Sequence, residues 1–349
     1  MTHAATGAMQ DQARSIPVSP ISVSPISVSI VTGFLGSGKT TLISRLLRDP
    51  ALAGTAVIVN EFGEIGLDHD LIASSDESLL ALTTGCLCCA VQTDLARTLL
   101  DLHTRRAAGT AAYDRVLIET SGLAEPAPIL HALMTDAALA QTHALTSVIT
   151  VIDSVHGPTT LHEHPAARHQ LAVADWLLLS KTDVAAPAAA LMDTIRALNP
   201  GAEVQTTAEA APALFFQPRP VDALAARLAE LPPMPADHTA GIQNIVLQRD
   251  APLPALALTL FLQALAEHAG ARLLRMKGLI GIAEMPGRPA VIHGVRHVVS
   301  PPDFLDRWPG EDTGTRIVFI SMGMPRWFPA RLLDAIEAEV LDETATGAS

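Results

Sequence analysis

Apolar, β-branched runs recur through the first part of the chain, and each interval between them is long enough for a helix. The runs cover residues 26–31, 55–60, 115–119, 147–153 and 176–180. Between them, residues 41–48, 94–105 and 188–198 carry apolar side chains at helical spacing. This alternation predicts an α/β domain over residues 27–216, built on a mostly parallel sheet covered on both faces. A proline-rich stretch, residues 217–240, reads as a linker. Beyond it the order changes. Strand-like runs at 242–248, 271–283, 290–299 and 315–321, with helices at 256–268 and 329–341, predict a smaller α+β domain over residues 241–341. Residues 1–26 read as a disordered tail that contains a short repeat of Pro-Ile-Ser-Val-Ser, and residues 342–349 as a second tail.

Composition narrows the partners. A chain of 349 residues, 49% hydrophobic and 17% charged, can bury a full core. A net charge of −13 argues against nucleic-acid phosphates or an anionic membrane surface as the main partner. The first fourteen residues lack the basic and apolar regions of a secretory signal, and no run of about eighteen apolar residues is present. A cytoplasmic protein is the expectation.

The strongest chemical signal is Gly33-Phe34-Leu35-Gly36-Ser37-Gly38-Lys39-Thr40, which fits G-x-x-x-x-G-K-[ST] between a predicted strand and a predicted helix that takes in Thr41. Its glycines let successive N–H groups turn into one concavity, where the positive end of the helix also points. Lys39 would reach the β- and γ-phosphates, and the Thr40 hydroxyl would face Mg²⁺. At the end of a later strand, Glu119-Thr120-Ser121-Gly122 places a carboxylate for Mg²⁺ and a glycine whose N–H can approach the γ-phosphate. Ser180-Lys181-Thr182-Asp183 follows the next apolar strand but one. A carboxylate at Asp183 accepts from the paired N–H donors of guanine, which adenine lacks. The usual pattern is N-K-x-D, so Ser180 stands where an Asn is expected, and a contact to base or loop is at stake. All three cysteines lie in Gly85-Cys86-Leu87-Cys88-Cys89. Thiols packed so closely read as metal binding or redox chemistry rather than a disulfide scaffold. On an extended chain Cys86 and Cys88 share a side and Cys89 faces away, so two or three sulfurs plus an outside ligand are expected.

With Asn60-Glu61-Phe62-Gly63-Glu64 and, in the second domain, Arg275-Met276-Lys277-Gly278, these segments resemble the CobW-type GTPases and metallochaperones, P-loop proteins related to the urease and hydrogenase nickel-insertion GTPases. The resemblance implies a P-loop NTPase fold. It also implies a GTPase, slow without metal or partner, in which Lys39 and Glu119 are the catalytic groups. Gly33, Gly36, Ser37, Gly38, Lys39, Thr40, Thr41, Gly122, Ser180, Lys181 and Asp183 would hold GTP or GDP, and Thr40 and Glu119 would hold Mg²⁺. Cys86, Cys88, Cys89 and Glu64 would hold Zn²⁺, with Co²⁺ or another transition metal as the alternative. The implied partners are the nucleotide, the metal ion and a client metalloprotein, with no nucleic acid and no membrane; a homodimer is left open. Some relatives carry a Glu before the Asn, where this chain has Val59. His156, His162, His164 and His169 are too sparse for a histidine-rich metal tract and read as a solvated loop. Gln170 and Asp175 resemble the family's approach to the guanine strand. His293 and His297 read as strand-face residues, and Trp308 and Trp327 as core or interface. The rival readings are a P-loop ATPase or kinase with a structural zinc, and a non-hydrolysing nucleotide-binding metal sensor or scaffold.

Overall fold

The computed structural model of the chain describes residues 25–60, 79–82, 88–216, 225 and 241–347. The first strand, β1 (Ile26–Thr32), is buried at every position but one and runs straight into the glycine-rich loop. Helix α1 (Lys39–Leu46) starts behind Gly38, whose left-handed backbone (φ 93°) turns the chain into the helix. There follow β2 (Thr55–Asn60), β3 (Leu79–Leu82), α2 (Cys88–Ala107), β4 (Arg115–Thr120), α3 (Ala127–Thr135), α4 (Ala137–Thr142), β5 (His143–Asp153), α5 (Gly157–Glu163), α6 (Pro165–Ala172), β6 (Trp176–Ser180), α7 (Ala189–Leu198), β7 (Glu203–Thr206) and α8 (Ala213–Phe216). The seven strands form one sheet in the order β3-β2-β4-β1-β5-β6-β7, and every recorded pairing in it is parallel. Alternate residues of β1 and β4 feed opposite cores: Ile30 and Ile118 pack under α2 and α3, while Val31 and Leu117 pack under α1. The predicted P-loop NTPase architecture is therefore present.

The second sheet is antiparallel, with β8 (Ile242–Arg249), β9 (Leu273–Ile280), β10 (Ala290–Val295), β11 (Val298–Val299) and β13 (Thr315–Met322) in the order β11-β10-β9-β13-β8, and β12 (Asp303–Phe304) paired to β10. Helices α9 (Ala255–Ala269) and α10 (Phe328–Gly347) cover one face around Phe261, Phe319 and Leu333. Among the described residues no helix is long and apolar enough to cross a membrane.

Several expectations are corrected. Helix α2 begins at Cys88, six residues before the predicted start, so Cys88 and Cys89 occupy its first turn rather than an extended chain. Residues 156–169 are two short helices, not a loop; Pro158 and Pro165 stand at the first or second position of each, where proline fits a helix. Residues 290–299 split into a hairpin, so His297 sits in the turn; of the two readings of Trp327, core or interface, its 58% exposure under Arg331 removes the core. Strand β7, with its half-buried sequence Glu-Val-Gln-Thr, has no apolar run to betray it. Cys86, Glu64 and nearly all of the proposed linker lie outside the described residues.

The two sheets meet through charge as well as apolar contact. Ile242, Leu274 and Ile320 pack against Leu171, Ile195 and Leu198. Beside them Asp175, at the foot of β6, accepts from the Val148 N–H (3.0 Å), and its other oxygen lies against the Arg275 guanidinium and 3.1 Å from Lys277 Nζ. Arg275 also donates to the Val173 carbonyl. Burial pushes the Asp175 carboxyl up, but Arg275, Lys277 and the Val148 N–H outweigh it and hold it down at about 2, below the usual 3.8. Because the folded value is depressed, the stability that this carboxylate contributes is complete above about pH 4. It is lost as pH falls towards 2. Asp175→Asn leaves buried cations without their carboxylate and should cost about 3–5 kcal/mol in chemical denaturation. It should also flatten the acid limb of the stability profile; an unchanged limb would show that another group controls it.

Candidate functional site

The loop between β1 and α1 is shaped by contacts that admit no side chain at its first glycine. A Cβ on Gly33, at φ +147°, would lie 2.4 Å from the Val151 carbonyl oxygen. Gly36 (φ 70°) and Gly38 (φ 93°) supply the two left-handed turns. Lys39 is buried to 8% exposure and folds back over the loop, donating to the Gly33 carbonyl at 2.8 Å. Ser37 is buried within the loop, and Thr41 is exposed on the first turn of α1.

Strand β4 delivers Glu119 to the opposite wall. Thr40 Oγ1 donates to Glu119 Oε1 at 2.8 Å, so the two residues predicted to share a cation are brought together. Gly122 sits directly behind the loop. A Cβ there would meet the Leu35 N at 2.7 Å and the Leu35 Cα at 2.9 Å. The Gln170 amide, fully buried, donates to the carbonyls of Gly122 and Ala124 at 3.0 Å each and fixes this segment from α6.

Strand β6 brings Ser180 and Lys181 to the other end of the loop. Ser180 Oγ donates to the Ser37 carbonyl at 2.6 Å, so the loop contact that the missing Asn put in question is made by the shorter hydroxyl. Lys181, at φ 57°, pairs with Asp153 Oδ2 at 2.6 Å. Burial opposes ionisation of Asp153, but the Lys181 ammonium and the N–H groups of His156 and Val155 hold its carboxyl below the ordinary range. Asp183 is exposed in the turn that follows. A cavity of about 220 Å³ runs between Phe34–Ser37 of the loop and Asp153, His156, Gln170 and Lys181. Asp153 was not among the residues singled out from sequence, although an acid ending the apolar run Thr-Val-Ile was the available signal.

The histidines divide by position. His164 stacks on Phe34 of the loop, with ring centroids 4.4 Å apart. His169 Nδ1 lies 2.8 Å from Glu125 Oε1; this bond, opposed by burial, draws the Glu125 carboxyl down, and Arg296 adds to it. Among the described residues no three His, Cys, Asp or Glu side chains form a metal cage. Of the cysteines, the structure places the backbone of Cys88 and Cys89 at the start of α2.

Comparison with known proteins agrees with this arrangement. A family profile described as CobW/HypB/UreG, nucleotide-binding domain, matches residues 27–206, and one described as the cobalamin synthesis protein cobW C-terminal domain matches residues 242–338. The zinc chaperone YjiA of Escherichia coli (strain K12) is 33% identical over 304 residues, covering 85% of this chain and 94% of its own. The zinc-regulated GTPase metalloprotein activator 1 of Schizosaccharomyces pombe is 33% identical over 162 residues, 44% of this chain and 38% of its own. The crystal structure of Zn(II)-bound YjiA matches with a TM-score of 0.68 at 24% identity, covering 90% of this chain and 99% of that one, a likeness of fold.

The approach of Gly122 to Leu35 is open to a direct test. Gly122→Ala must force two backbones apart, and overpacking of this kind costs about 1–3 kcal/mol. Chemical denaturation of the purified variant should show that loss, and wild-type stability would mean that the two segments do not touch.

Proposed function

The chain belongs to the CobW/HypB/UreG family of nucleotide-binding proteins, and from that premise we propose that it is a GTP-hydrolysing metallochaperone. Its cargo would be Zn²⁺ or a similar transition ion, held by thiolates of Cys86, Cys88 and Cys89 and handed to a client metalloprotein. The observation that carries the reading is the 2.8 Å approach of Thr40 Oγ1 to Glu119 Oε1 beside the loop that Lys39 closes. A hydroxyl and a carboxylate converging there are hard oxygen donors of the kind Mg²⁺ takes, so these residues fit that ion. When bound with a nucleoside triphosphate, Mg²⁺ supplies neutralisation of charge on the β- and γ-phosphate oxygens.

The chain's own groups have separate tasks. Lys39 exchanges its loop carbonyls for the β- and γ-phosphates. Gly36–Gly38 turn their N–H groups towards the phosphates at the start of α1. Gly122, against Leu35, offers a backbone N–H near the terminal phosphate. Asp183 accepts from the guanine edge, and Ser180 holds that turn to the loop through Ser37. Cys88 and Cys89 begin a helix, where negative charge is favoured, and thiolates suit zinc. Two relatives are named for zinc, which supports the cargo; Glu64 is the oxygen ligand proposed beside the cysteines.

Three measurements test this reading. Asp183→Asn should lose a charge-assisted bond of about 1.5–3 kcal/mol and with it most of the preference for GTP over ATP in competition binding. Equal binding of both nucleotides by the unaltered protein would refute the guanine assignment. Substituting all three cysteines by serine should abolish tight Zn²⁺ binding and the thiolate-to-metal absorption of the Co²⁺ form. In the unaltered chain, Zn²⁺ affinity should differ between the GTP and GDP states. Retained tight binding without thiols would move the cargo site elsewhere.

A further inference from the structure

The two-residue turn of the β10–β11 hairpin is closed by the Val295–Val298 pair, and both of its residues, Arg296 and His297, reach across to the nucleotide-binding half. Arg296 approaches Glu125 Oε2 at 3.8 Å, and His297 Nε2 lies 2.5 Å from His131 Nε2 on α3. The two rings are tilted by 65° with centroids 4.4 Å apart, so they meet by their nitrogen edges rather than by stacking. Gly270, at the end of α9, makes this possible: any Cβ there would lie 2.4 Å from the His297 Cβ.

We propose that His131 and His297 form a second transition-metal site, a two-imidazole clamp for a borderline dication such as Zn²⁺ or Co²⁺ that joins the hairpin turn to α3. The tautomer of His131 supports it. Thr135 Oγ1 donates its single hydrogen to the His131 carbonyl at 2.9 Å. The same hydroxyl lies 3.5 Å from His131 Nδ1, where it can accept from Nδ1–H in the tautomer whose Nε2 lone pair faces His297. This is the outer bond that orients metal-binding imidazoles. In the metal-free pair His297 supplies the one Nε2–H between the rings. With metal, that proton moves to His297 Nδ1, and tetrahedral geometry with Zn–N bonds of about 2.0–2.1 Å needs the nitrogens about 3.3 Å apart. His297 is exposed in its turn, so a small side-chain rotation provides the extra separation. Two protein ligands leave the remaining positions to water or to donors of an incoming protein.

The site is independent of the cysteines, and its test is made without them. The full chain with Cys86, Cys88 and Cys89 replaced by serine is titrated with Zn²⁺ by calorimetry, and the imidazole proton resonances of His131 and His297 are followed by NMR. The expected result is that both resonances move together with one Zn²⁺. That equivalent should be lost, or weakened at least tenfold, in the same background carrying His297→Ala, and restored in part by His297→Asp. His297 is exposed and its loss leaves the hairpin pairing intact, so circular dichroism should be unchanged. Identical Zn²⁺ stoichiometry and affinity with and without His297, or movement of neither resonance, would overturn the clamp and leave the cysteine reading untouched. A triple-serine chain that binds no Zn²⁺ at all would likewise overturn the clamp, whereas loss of only the tighter equivalent bears on the cysteines.

Discussion

A buried carboxylate stays ionised only if cations and N–H groups replace the water it has lost, and Asp175 obtains them from both halves of the molecule. Val148 of the parallel sheet gives an N–H; Arg275 and Lys277, alternate residues on one face of β9, give the charge. The middle strand of the second sheet thus completes a buried site of the first. Asp175 stands at the foot of β6 and Ser180 at its top, with Leu177, Leu178 and Leu179 buried between them. A strand of this length spans roughly 16 Å and is held by neighbours on both sides. The turn that carries Lys181 and Asp183 and the clamp that seats the second domain are therefore two ends of one rigid element.

Much of this was legible in the chain because the signals were local. The glycine-rich loop, the strands ending at Glu119 and Ser180, and the antiparallel domain after residue 241 each announce themselves by periodicity or by residue types that only one chemistry needs. What stayed hidden depends on contacts between distant positions. Arg275 and Lys277 could be noticed as a motif, but nothing in their neighbours says that they answer Asp175. The first turn of α2 overrode the extended reading of the cysteines, because helix continues upstream from a segment whose apolar spacing becomes clear only after residue 94. The segment around His156–His169 reads as loop from its polar composition, although Pro158 and Pro165 are placed where proline suits the first turn of a helix.

Ser180 shows how a departure from a motif can be absorbed. The position needs a donor for the Ser37 carbonyl, and it needs to do so with Gly38 close by: a Cβ at Gly38 would be 3.7 Å from that of Ser180. A hydroxyl 2.6 Å from the carbonyl meets the first demand with the smallest side chain that can. The sequence pattern registers a missing amide, while the geometry registers a satisfied acceptor. The loop's stiffness comes from such backbone anchors, with Gly33 against Val151 and Gly122 against Leu35 doing the same work by close approach.

The contacts between the halves differ greatly in strength. Residues 119–126 carry Glu119 against Thr40 at one end and Glu125 against His169 and Arg296 at the other, with Gln170 holding the carbonyls between. Residues 119–126 thus join the Thr40–Glu119 pair to the edge of the second domain by one short segment. The pair it meets there is partly exposed at 3.8 Å, an interaction worth about 0–1 kcal/mol, and it yields readily. Separating Asp175 from its buried cations costs several times as much. The second domain is thus held far more firmly at Asp175 than at the Glu125–Arg296 pair of the hairpin turn.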